Sequence, residues 1–208
     1  MINFRATGVL FGLGAALFLQ ACSTVPTTTV PETELETRYG IRAAELSALD
    51  SWTLEGKLAV NDGNDGGSGK LRWQEGDEQS RMDFHGALGR GAWRLESGPD
   101  GAELQLADGR TYQAASVSEL VRGQLGWSVP VEALSWWVLG LQAPGSADAR
   151  SFEADGTLKS LSQQGWKIEF GRYREQDGIS MPMKVTARQA EKSVKLALRQ
   201  WELGERSD

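Results

Sequence analysis

At 208 residues, with 40% hydrophobic and 24% charged side chains, the chain is long enough for one globular domain with a sizeable core and short for two. Its formal net charge of −6 and its scattered basic residues exclude any concentrated electropositive stretch, and nucleic acid is set aside as a partner. Eight tryptophans against three tyrosines bring much apolar area, enough for ordinary core packing and for an apolar ligand surface besides.

In chain order, the first element is a leader. Arg5 precedes an apolar run from Val9 to Leu19, followed by Leu19-Gln20-Ala21-Cys22. Residues 1–21 read as a secretory signal, too short and glycine-rich for a spanning helix. The last four residues resemble a bacterial lipobox, which makes Cys22 the acylated first residue of the mature chain. As the only cysteine, Cys22 has no partner for a disulfide within a monomer. Several acyl chains, at about 0.8 kcal/mol per buried methylene, make a stable tether. Ser23, where an aspartate would signal retention in the enteric sorting pattern, favours the outer membrane. Residues 22–34, rich in threonine and proline, form the lipidated terminus and an extended linker.

From Leu35 the apolar residues fall at helical spacing, with acidic residues at the start, and predict a helix over 35–48. The period then changes to two. In SWTLEGKLAV, Trp52, Leu54, Leu58 and Val60 alternate with polar positions, as in a strand with one wet face. The alternation predicts eleven strands: 51–60, 69–75, 79–86, 91–97, 102–107, 110–114, 151–155, 157–163, 165–173, 181–189 and 192–201. Two further helices interrupt the series. Ser116-Val117-Ser118-Glu119 fits a capping box that opens a helix over 116–125, and Pro130 precedes an almost wholly apolar one over 131–139.

A long antiparallel meander must curl to protect its apolar face and edges. The expected fold is therefore mainly β: a half-open antiparallel barrel of about 11 strands over residues 35–203, with the three helices as a lid covering a hydrophobic cavity. A fully packed interior is the alternative, and the pattern leaves both open. The residues expected on the inner wall are Trp52, Leu54, Trp73, Phe84, Trp93, Leu104 and Trp166, with Leu134, Trp137 and Val138 from the lid.

Catalytic patterns are not found. A nucleophilic triad needs a histidine near a serine and a carboxylate, and the single histidine, His85, sits beside a glycine-rich turn with no G-x-S-x-G elbow in the chain. One cysteine and one histidine do not compose a usual metal set, Asp77 and Glu78 lie in a polar turn, and Asp65-Gly66-Gly67 lacks a full calcium ligand series. No enzyme, metal or cofactor is expected.

Several stretches together resemble the LolB family of outer-membrane lipoprotein receptors. They are the lipobox, SWTLEGKLAV, LRWQ at 71–74, ALGRG followed by AWRLE, ADGRTY at 107–112, VPVEALSWWVLGL at 129–141, GWKIEFGRY at 165–173 and MPMKVT at 181–186. They run in order over most of the mature chain, and their order with the lipobox is more specific than any one of them. The resemblance implies a half-open barrel whose cavity accepts acyl chains of lipoproteins from the periplasmic carrier LolA, working as a monomer tethered to the outer membrane on its periplasmic face. It also gives a role to an odd stretch, DFHGALGRGAWRL, which sets one leucine among glycines at a hairpin tip. Leu88, flanked by Gly86, Gly89 and Gly91, is implied to protrude and deliver cargo to outer-membrane lipid, the alternative being that it folds back on the domain. Ala87 departs from the family's pattern, which often has proline before that leucine. Lys57 and Arg94 are open to two readings, contact with the acidic mouth of the carrier or plain exposure to water.

Overall fold

The computed structural model describes residues 30–63, 65–76, 78–87 and 91–205; Cys22, Leu88 and Gly89 lie outside the described residues. Helix α1 spans Glu32–Ser47. It is followed by strands β1 (Ser51–Asn61), β2 (Gly66–Gly76), β3 (Gln79–Gly86), β4 (Trp93–Gly98), β5 (Gly101–Leu106) and β6 (Thr111–Ala114). Helices α2 (Val117–Leu125) and α3 (Val131–Val138) intervene. Strands β7 (Ala149–Phe152), β8 (Leu158–Gln163), β9 (Trp166–Gln176), β10 (Ile179–Gln189) and β11 (Lys192–Leu203) complete the chain.

All eleven strands join one antiparallel sheet in the order β6-β5-β4-β3-β2-β1-β11-β10-β9-β8-β7. Every neighbour but one is a hairpin partner. The exception is β1 with β11, where Trp52 lies opposite Leu203 and Val60 opposite Val194. The sheet curls without closing, as the sequence pattern expected of a half-open barrel. Its free edges are β6 and β7, and the chain between them carries α2 and α3 across the opening.

Alternation sets the inside and the outside. Along β1, Trp52, Leu54, Leu58 and Val60 are buried while Lys57 is exposed. Side chains of period two on a curled sheet put the large apolar ones on the concave face. There they join residues of the three helices in a single apolar cluster. Burial of each large side chain stabilises by about 1.5–3 kcal/mol, which holds the short lid helices that are too brief to persist alone.

Local signals explain the helix ends. The Ser116 hydroxyl accepts from the Glu119 amide at 3.2 Å, and α2 stops at Gly126, whose φ of 72° suits glycine. Gly140, also at φ 72°, ends α3: its amide donates to the Trp137 carbonyl at 2.9 Å and that of Leu141 to Trp136 at 3.1 Å. This is the paired closure of a Schellman turn.

The largest boundary differences from the sequence pattern are of three residues: β7 ends at Phe152 rather than 155, β9 runs on to Gln176 rather than 173, and α1 and β2 each start three residues early. Helix α1 starts at Glu32 rather than 35, because Pro31 precedes the first turn and accepts from the amides of Glu34 and Leu35. Strand β2 reaches back to Gly66 through a glycine-rich stretch that reads as turn, because β1 offers a full ladder of partners from Asn61 to Ser51.

Candidate functional site

The concave face beneath α2 and α3 encloses a region that collects side chains from both halves of the sheet and from the lid. Its walls are Leu58, Val60, Leu71, Trp73, Met82, Trp93, Leu95 and Val194 from the strands, and Val121, Trp127, Val129, Val131 and Leu134 from the lid segment. Every one is apolar. The remaining space is about 30 Å³. Pockets for drug-sized ligands measure about 300–1,000 Å³, so α2 and α3 are closed on a nearly filled interior.

Of the residues expected on the inner wall, Trp73, Trp93 and Leu134 line this space. Trp52, Leu54, Phe84, Leu104, Trp137, Val138 and Trp166 are buried in the same apolar cluster but pack around it. Three aromatic groups organise them. Trp52 meets Trp73 and Trp201 edge-on at 5.3 and 5.6 Å. Phe84 stacks on Trp93 at 5.1 Å, and Trp127 meets both edge-on at 6.2 Å. Trp137 and Trp166 lie 6.3 Å apart. Trp127 is a wall residue that the sequence expectations above do not name. Its signal was an apolar ring directly after a helix-ending glycine, where a polar turn residue is usual.

Gly86 closes β3 and Gly91 has φ 65°, so both flanks of the hairpin tip carry glycine where described. Gly91 would meet nothing within 4 Å if it bore a Cβ.

Polar groups inside are few. Gln163 is fully buried, accepts from Trp137 Nε1 at 3.1 Å and from the Ala143 amide at 3.0 Å, and donates to the Ala143 carbonyl at 2.8 Å. It ties α3 and its following turn to β8. Among the described residues, Trp93 Nε1 is buried without a hydrogen-bond partner, an arrangement that costs about 1–3 kcal/mol. The lid helices are joined to each other where Ser118, through its hydroxyl and its amide, donates to the Glu132 carboxylate.

The opposite end of the lid is held by Arg42 of α1. Its guanidinium donates to the carbonyls of Leu139, Gly140 and Ser180 and lies over the Tyr173 ring, centroid distance 5.7 Å. Burial lowers its pKa from the ordinary value, an effect countered by the nearby phenols and carboxylates. The Tyr173 hydroxyl donates to the Leu158 carbonyl at 2.7 Å, and burial pushes its pKa well above the usual phenol value.

An open antiparallel half-barrel with a largely apolar interior roofed by helices defines the class of protein. The family follows from the sequence: residues 50–201 match the family model described as outer membrane lipoprotein LolB, and the chain belongs to that family. Relatives named outer-membrane lipoprotein LolB include one from Pseudomonas fluorescens, 36% identical over 164 residues (79% of this chain, 80% of that one). Another, from Pseudomonas aeruginosa, is 39% identical over 158 residues (76% of this chain, 77% of that one). Among solved structures, a LolA superfamily protein from Nitrosomonas europaea aligns with 86% of this chain and 96% of its own, at 9% identity and a TM-score of 0.48.

Proposed function

We propose that this chain is the outer-membrane receptor that takes acylated lipoproteins from the periplasmic carrier LolA, holds their acyl chains beneath α2 and α3, and passes them into the membrane. Family membership supports the receptor role. The observation that carries the mechanism is the all-apolar wall shared by the sheet and the lid. With about 30 Å³ free, acyl chains enter only as α2 and α3 move away, so their own apolar faces become part of the occupied site. Transfer then needs no covalent step: acyl chains move from carrier to receptor to bilayer down a gradient of apolar burial. Trp93 Nε1, without a partner among the described residues, then serves as a donor to an ester carbonyl of the incoming lipid anchor.

The chain acts as a monomer, tethered through acylated Cys22 on the periplasmic face. Leu88, which lies between β3 and β4 in the sequence, gives a foothold in the bilayer. One buried leucine contributes about 1.5–3 kcal/mol, enough for repeated contact and too little for anchoring.

The test is a transfer assay with carrier loaded with labelled lipoprotein, liposomes, and the receptor with Leu88 or with Leu88→Glu. Both forms are expected to strip the carrier, and only the Leu88 form to load liposomes. Failure of both to take label from the carrier overturns the reading.

The nearly filled interior favours a second reading, a structural envelope lipoprotein that binds no acyl chain. An apolar dye such as ANS separates the two: saturable binding supports the receptor, and its absence the structural protein.

A further inference from the structure

The convex face of the sheet carries a feature that acyl binding does not use. Lys70 and Lys57 are direct cross-strand partners on β2 and β1; Lys70 also faces His85 on β3. Lys57 faces Ala197 on β11, and Ala197 faces Lys184 on β10. One line of register thus places His85, Lys70, Lys57 and Lys184 across five strands, roughly 19 Å at about 4.8 Å per strand. Lys195 stands in the next row, opposite Ala59. These side chains surround a groove of about 730 Å³ that runs to Ala87, the residue before Leu88.

Among the described residues, the charge of this row is only partly answered from within the protein: beside Arg188, the larger cause, Lys184 helps hold the Glu169 carboxyl below its ordinary value. None of Lys57, Lys70, Lys184 and Lys195 forms an ion pair within 4.0 Å, and all four are exposed. The carboxylates nearby on the same face are taken by arginines: Glu55 by Arg72, Asp83 by Arg81 and Arg94, and Glu169 by Arg188. Like charges placed directly opposite, as in Lys57 and Lys70, destabilise a sheet. In a chain of net charge −6, folding alone gives no reason for this cluster.

We infer that the groove is a docking surface for the phosphate headgroups of an anionic lipid bilayer, set beside the β3–β4 hairpin so that the domain rests on the membrane while the hairpin tip enters it. This rests on the reading that the hairpin works at a membrane. Lysine chemistry favours lipid over protein. Lysine is a hydrated point charge suited to a diffuse anionic surface and is depleted from protein–protein interfaces, whereas Arg72, Arg81, Arg94 and Arg188, suited to directional carboxylate contacts, are already paired.

The experiment uses the full acylated protein, anchored in vesicles of phosphatidylcholine alone or mixed with phosphatidylglycerol, and maps lysine acetylation by mass spectrometry. The expected result is loss of labelling at Lys57, Lys70, Lys184 and Lys195 on the anionic vesicles only, restored near 1 M salt, where the screening length is about 3 Å. Equal labelling on both vesicles overturns the proposal. So does protection that appears only when the carrier protein is added, which assigns the groove to a protein partner. Lys57→Ser with Lys70→Ser, which relieves the like-charge pair, is expected to slow cargo delivery to anionic vesicles and leave delivery to neutral ones unchanged; slowing on neither overturns it. The two readings fail separately: a protein that transfers no cargo but shows the protection loses the receptor role and keeps the surface, and one that transfers cargo without it loses only the surface.

Discussion

Arg42 of α1 donates to the carbonyl of Leu139, the residue that caps α3, at 2.6 Å, so the first helix of the domain holds down the C-terminal end of the lid. A cation at a helix C-terminus is favourable, and this one is buried among carbonyls with no carboxylate hydrogen-bonded to it. Arg42→Met leaves those carbonyls buried and unpaired, and is expected to cost about 3 kcal/mol in urea denaturation. Arg42→Lys should recover little, since an ammonium does not reproduce the planar fork that spans three acceptors. A variant of parental stability would remove Arg42 from the lid's support.

Trp127 is wedged against Phe84 and Trp93 at the mouth of the interior. Trp127→Ala is expected to lose about 3–5 kcal/mol and to open space beside the existing cavity. Denaturation reads the first effect, and stronger binding of an apolar dye to the folded protein the second. Loss of stability with no gain in dye binding would mean that the lid collapses into the space.

Glu75 accepts from Trp73 Nε1 at 2.9 Å, and burial raises its pKa above the ordinary carboxylate value in spite of this bond and of Ser80. An acid raised on folding binds its proton more tightly in the folded state, so stability falls as pH rises from the ordinary value through the raised one. Glu75→Gln should therefore be more stable than the parent near pH 7, with the gap closing toward about pH 4. A gap independent of pH would mean that ionisation of Glu75 carries no penalty.

Asp83 has the opposite sign. Burial acts to raise its pKa, but hydrogen bonds from Arg81 and Arg94 outweigh it and hold the carboxyl below its ordinary value. The stability this gives is present above the ordinary value and lost as pH falls through the lowered one. Because both arginines are more than a third exposed, Asp83→Asn is expected to cost only about 1 kcal/mol near pH 7. The difference from the parent should vanish in strong acid; a constant difference would point to the side chain's shape instead of its charge.

Much of this fold could be read from period alone. Trp52, Leu54, Leu58 and Val60 alternate with polar residues because one face of β1 is wet, and the same rule located all eleven strands. The start of β2 was not legible at Gly66, since glycine has no strand preference and pairs there only because β1 does. Which aromatic rings touch the enclosed space was equally beyond period. Trp93 and Phe84 share one face and stack on each other, yet only Trp93 reaches the cavity wall. The row from His85 to Lys184 was hidden for a different reason: its members come from four strands, and only the register makes neighbours of them.

The pairing of β1 with β11 has a consequence for how the molecule forms. The first and last strands of the chain meet in the middle of the sheet, while both edges come from its interior. Two local meanders, β1 to β6 and β7 to β11, can assemble by hairpin closure, but the seam between them waits for the most distant segments to find each other. Such non-local pairing is slow. Until the final strand has crossed the inner membrane, β1 has a bare flank and the apolar trough has only half its walls, so the exported chain is vulnerable to proteolysis and to pairing with other chains until its last residues arrive.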